Sequence, residues 1–220
     1  MRWKDPKIDL REIHEPAEVG QDGRLISRLR DVYNFTMRES PFEHVCIKDT
    51  DVLWVNRDFY EIIQRIIELN PEYGIITCVT NCIDCEDQHA PELETFLRNK
   101  RKKNLGTATI DDYCYYSRWL FQKRKFQTRL VTKRKIGGFV MVTRKSVWRD
   151  VGEFPTGKDG QWGIDQQYCK NVREAGYPVL VATGLFAYHM RNRKHPSVFP
   201  KGITAYELSR QKKGKNPWQT

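Results

Sequence analysis

The chain is 220 residues long, 39% hydrophobic and 12% aromatic, with a formal charge of +10. That length and apolar content suit one globular domain with a real core, and exclude a disordered or low-complexity chain. No window reaches the apolar length of a membrane span, and Met1-Arg2-Trp3-Lys4-Asp5 is not a signal peptide, so a cytoplasmic setting is expected, with the six cysteines as thiols.

In chain order, residues 8–13 alternate apolar and polar and predict a short strand. Leu25, Leu29, Val32, Tyr33 and Thr36 recur at helical spacing after a start near Asp22-Gly23. Residues 44–48 predict a buried strand that runs into Asp49-Thr50-Asp51. A helix follows over about 58–69, with Phe59, Ile62, Ile63, Ile66 and Ile67 on one face. Asn70-Pro71 stops it, because proline disfavours helical geometry in the residue before it. Residues 73–79 predict a second apolar strand. The stretch 81–104 is polar and charged, with Pro91 placed for the first turn of a helix. Residues 111–132 mix aromatics with cations without a clean period and predict a mobile segment containing some helix.

Further on, 137–143 predicts a strand, 145–151 a helical turn or two, and 165–175 a helix ended by Gly176. A strand is expected over 178–182, with another short one near Phe186. Strands alternating with helices argue for an α/β layer fold. The domain is assigned to 1–195 and a basic tail to 196–220, which could touch a membrane surface peripherally.

Two acids at the end of a buried strand can hold Mn²⁺ or Mg²⁺, which prefer carboxylate oxygens and keep positions open for substrate phosphates. In open sheets ligands sit at the carboxyl ends of the strands, where Asp49 and Asp51 stand. Among 28 acidic residues a lone Asp-x-Asp is unremarkable, and its plain reading is a helix-capping loop. The turn Gly160-Gln161-Trp162-Gly163-Ile164-Asp165 brings one more carboxylate to a helix start, where it can serve as a base.

Several short motifs follow in order: Asp49-Thr50-Asp51; Asn70-Pro71-Glu72-Tyr73-Gly74-Ile75; Ile136-Gly137-Gly138-Phe139 through Trp148; Val151-Gly152-Glu153-Phe154; Trp162-Gly163-Ile164-Asp165; and Arg173 to Val179. In this series the chain resembles the GT-A-fold glycosyltransferases, especially the family 2-like enzymes, from about Gly23 to Arg191, and its later part looks like the C-terminal signature of galactosyltransferases. The resemblance implies a single GT-A-like domain with a mixed, mostly parallel sheet flanked by helices. It implies a nucleotide-sugar donor and a glycan, lipid or protein acceptor. Asp51 would bind Mn²⁺ or Mg²⁺, with Asp49 beside it on the ribose or a metal-bound water. Gly137 and Gly138 would let the backbone approach the donor sugar, Trp162 would offer an apolar platform, and Asp165 would be the base. His189, in Ala187-Tyr188-His189, would complete the metal shell. Two departures stand out. Ile164 occupies a position where relatives carry an acid. The opening βαβ unit that holds the nucleotide base is expected to be shortened or missing ahead of Asp49.

Two other readings compete. Cys78, Cys82 and Cys85 have the C-x3-C-x2-C spacing of radical S-adenosylmethionine enzymes, which hold an iron–sulfur cluster on three thiolates; with His89 they could form a zinc site. Against this, Cys78 belongs to an apolar strand, where thiols pack as small hydrophobes. Arg118-Trp119-Leu120-Phe121-Gln122-Lys123-Arg124-Lys125-Phe126 interleaves cations with aromatics as nucleic-acid stacking surfaces do, but no nucleic-acid fold signature accompanies it.

Overall fold

A computed structural model describes residues 28–49, 51–81, 83, 85–101, 107–132, 136–155 and 163–190. The strand expected over 8–13, the helix start near Asp22-Gly23, Trp162, Cys82 and the tail 196–220 lie outside them. Helix α1 (Arg28–Glu39) leads into strand β1 (His44–Lys48), and β2 (Val52–Trp54) follows directly. Helix α2 (Phe59–Leu69) buries Phe59, Ile62, Ile63 and Ile66 of the stripe its periodicity predicts, and Ile67, its fifth member, is partly buried. Then come β3 (Ile75–Thr80), α3 (Leu93–Arg101), α4 (Ile110–Arg124), β4 (Thr128–Leu130), β5 (Val140–Arg144), α5 (Lys145–Val151), α6 (Ile164–Glu174) and β6 (Val179–His189).

The strands form one mixed sheet in the order β1-β5-β3-β6-β2, with β4 also paired to β6. The α/β class and single domain therefore stand. The expectation of a mostly parallel sheet does not: only β3 with β6 is parallel, and every other pairing among the described strands is antiparallel. The physical reason is that β5 runs against both of its neighbours, β1 and β3, while β2 and β4 run against β6. Strands β1, β3 and β6 consequently share a direction. Their carboxyl ends meet the amino ends of β2 and β5 along one edge.

Helices cover both faces. One apolar cluster joins Tyr33, Tyr113, Tyr116, Leu120 and Tyr168 to Val45, Ile75, Met141 and Val179 of the sheet. The other joins the α2 stripe to Ile76, Cys78, Val142 and Leu180. The odd and even positions of β3 divide between the two clusters, as the two-residue side-chain period of a strand requires.

Two local expectations need correction. Residues 111–132, expected to contain some helix without a clean period, are regular over most of their length. They hold the fifteen-residue helix α4, opened by a capping box in which Thr109 and Asp112 bond reciprocally, and then β4. The buried face is Tyr113, Tyr116, Ser117 and Leu120, a helical spacing hidden by tyrosines and a serine at core positions. Nor does Pro91 occupy the first turn of a helix, since α3 begins only at Leu93 and Glu92 before it has φ +59°.

Candidate active site

The sheet edge where the strand directions converge also gathers the chain's reactive groups. Asp49 follows β1, Asp51 precedes β2, and His189 ends β6. One ligand atom from each can be chosen so that all lie within 4.8 Å of one another. His189 Nε2 stands 3.4 Å from Asp51 Oδ2. His189 is buried, whereas both acids are half-buried and open toward solvent.

Backbone bonds hold the three in place. The Asp49 N–H donates to the Phe139 carbonyl (3.0 Å), which ties the end of β1 to the start of β5. The Val52 N–H donates to the Asp49 carbonyl (3.2 Å), and the Met190 N–H donates to the Asp51 carbonyl (2.9 Å). The Phe139 ring stacks on the His189 imidazole with centroids 5.6 Å apart and planes 15° apart. Two carboxylates and an imidazole form a donor set suited to a divalent cation of the Mn²⁺ type, so the residues present fit the expected group. Among the described residues no other cluster of His, Cys, Asp and Glu has this geometry.

Asp165 reaches the same edge from α6. It lies in the first turn of that helix, whose N-cap is Gly163 without a side-chain cap bond. The Asp165 carboxylate accepts the Gly138 N–H at Oδ2 (2.6 Å), so it is held by the backbone that enters β5. A Cβ on Gly138 would come within 2.6 Å of the Asp165 Cβ, and one on Gly137 would run into the Ile83 side chain. The space these glycines free is thus filled by Asp165 and Ile83. That is a packing reason for both glycines.

Two carboxamides on the loop after β3 complete the edge, and no sequence pattern singled them out. Gln88, fully buried, accepts the Gly137 N–H (2.6 Å) and donates to the Gly137 carbonyl (3.0 Å) and to Thr77 Oγ1 (2.7 Å). Asn81 accepts the His189 N–H (2.8 Å) and donates to the His189 carbonyl (3.0 Å). Asn and Gln are the side chains that carry a donor and an acceptor in the geometry of a peptide unit, so each replaces a missing strand neighbour.

The cysteines take a different place. Cys78 is fully buried within β3 and packs in the cluster beneath α2. Burial pushes its thiol well above the ordinary range, which opposes the thiolate that iron or zinc needs. His89 Nε2 sits 2.5 Å from the Ile83 carbonyl oxygen. The aromatics of the basic stretch at the end of α4 are partly buried. Trp119 packs against Phe96 and Tyr116 with Lys123 Nζ 4.9 Å over its ring, and Phe121 packs against Phe126.

No protein-family model and no curated protein matches this chain.

Proposed function

We propose that the chain is a metal-dependent glycosyltransferase with a GT-A-like fold, moving a sugar from a nucleotide-sugar donor to the hydroxyl of a glycan, lipid or protein acceptor. The observation that carries this reading is the approach of Asp49, Asp51 and His189 to within 4.8 Å at the sheet edge, with Asp165 tied to that edge through Gly138. The order of motifs along the chain supports it independently.

Asp49, Asp51 and His189 would hold Mn²⁺ or Mg²⁺, whose chemistry is to neutralise the charge that grows on a departing diphosphate. Asp165 takes the proton of the acceptor hydroxyl as the new glycosidic bond forms. The Gly138 N–H holds Oδ2 and fixes the carboxylate's orientation. One carboxylate is assigned as a base and none as a nucleophile, so the reading is an inverting single displacement.

The test is calorimetric titration with a panel of nucleoside diphosphates, with and without Mn²⁺, on the wild type and on Asp51→Ala. The expected outcome is Mn²⁺-dependent binding of one diphosphate that disappears in the variant. Equal binding by both proteins would leave the two acids as a structural turn.

A further inference from the structure

We propose that Asn81 is a positioning residue for the metal centre, acting through His189; the inference rests on the reading of Asp49, Asp51 and His189 as cation ligands. His189 is the last residue of β6. On one side it pairs with Val52 of β2. On the other side the ladder with β3 stops two residues earlier, at Thr80 opposite Ala187. A buried backbone N–H and C=O would there face no strand, at a substantial desolvation cost. The Asn81 carboxamide takes the place of the absent strand residue, bonding to both groups at 2.8 and 3.0 Å. Thr80 Oγ1 donates to the same Asn81 oxygen (3.3 Å), which is consistent with that orientation of the amide.

The consequence reaches the imidazole. With the His189 backbone clamped, only the two side-chain torsions remain to aim Nε2. Phe139 restricts those by stacking on the ring. The clamp and the stack together direct Nε2 at Asp51 Oδ2, 3.4 Å away. Hydrogen bonds that orient a metal-binding side chain typically carry about 10–100-fold in metal affinity. No other residue type preserves both bonds at this length, because Asp lacks the donor and Ser cannot span the pair.

The experiment measures Mn²⁺ alone, by calorimetry and by pulsed electron paramagnetic resonance, which detects a coordinated imidazole nitrogen. Wild type and Asp51→Ala come first; if the wild type binds no Mn²⁺, the metal reading and this inference both fail. If it binds, Asn81→Ser is expected to lose about 10–100-fold in Mn²⁺ affinity, with the nitrogen coupling weakened or absent. A general loosening of the fold would not selectively remove the nitrogen signal while carboxylate-bound Mn²⁺ persists. Should Asn81→Ser fail to fold, Asn81→Asp keeps the acceptor for the His189 N–H and is read the same way, with a reduced nitrogen coupling expected. Wild-type affinity and wild-type nitrogen coupling in the folded variant would overturn the role of Asn81 and leave the metal reading intact.

Discussion

Asp165 and Gly138 constrain each other atom by atom. The carboxylate accepts the Gly138 N–H, and a side chain at Gly138 would meet Asp165, which occupies its space. Asp165→Asn keeps an oxygen that can accept that N–H, so the fold and the melting temperature should be preserved. Loss of a positioned base typically costs about 10²–10⁴-fold in rate. Near-normal Mn²⁺ and nucleotide binding with almost no sugar transfer is therefore expected; full transfer would sink the assignment. Gly138→Ala approaches the same residue from the other side. Its Cβ must push Asp165 away, so transfer should fall while Mn²⁺ affinity stays close to that of the wild type. A variant with unchanged turnover would show that the position of Asp165 does not matter.

Strand β6 decides whether His189 can belong to the site. Thr183, Gly184 and Leu185 have no partner on β3, because the register steps from Cys78 opposite Ala182 to Val79 opposite Phe186. Three is an odd number, so the insertion reverses which face each later residue takes. Before it, Val179 and Val181 lie in the first cluster and Leu180 and Ala182 in the second; after it, Phe186 and Tyr188 lie in the first and Leu185 and Ala187 in the second. His189 thereby comes to the face of Phe139. The bulge is held by Gln127, whose carbonyl accepts the Thr183 N–H (3.0 Å), and by Gly184, packed on the backbone of Lys125. Lys125 itself is held at φ +46°, a conformation that disfavours a side chain. A Cβ on Gly184 would collide with the Lys125 carbonyl oxygen, which cannot swing aside as a side chain can. Gly184→Ala should cost about 1–3 kcal/mol of stability, as overpacking usually does, and weaken Mn²⁺ binding at the distant end of the strand. Denaturant unfolding and a Mn²⁺ titration check both. An unchanged unfolding midpoint would mean that the bulge tolerates the methyl group.

Over the whole molecule, apolar clusters on both sheet faces leave the reactive groups to the edge. The cysteines illustrate the division: Cys78 and Cys169 are fully buried, and burial pushes the Cys169 thiol up to about 12. Buried neutral thiols of this kind are packing units. Protein purified anaerobically should be colourless and free of stoichiometric iron. Broad visible absorption with one iron cluster per chain would replace the glycosyltransferase reading with the cluster reading. No described helix is long and apolar enough to cross a membrane. Ion pairs on the solvated surface such as Arg65–Glu68 (2.8 Å) contribute little to stability.

Local pattern alone determined α2, α5, α6, β1 and β3, because each has a short-range period or a stop such as Asn70-Pro71 that needs no distant partner. It also picked out Asp49, Asp51 and Asp165 as candidates, since strand ends and helix starts can be read from neighbouring residues, whereas His189 entered only through the family resemblance. Pattern gave some helix without bounds where α4 lies, because its core positions are tyrosines and a serine, and it split β6 in two at the bulge. Strand direction, and with it the largely antiparallel sheet, was not legible either, because pairing depends on which strands meet in space. Asn81 and Gln88 were invisible for the same reason: a carboxamide becomes a clamp only when a backbone segment 108 residues away, in the case of Asn81, lies beside it. The approach of His189 to Asp51 was decided only by the tertiary structure, through the odd-numbered bulge in β6 that turns the imidazole to the right face.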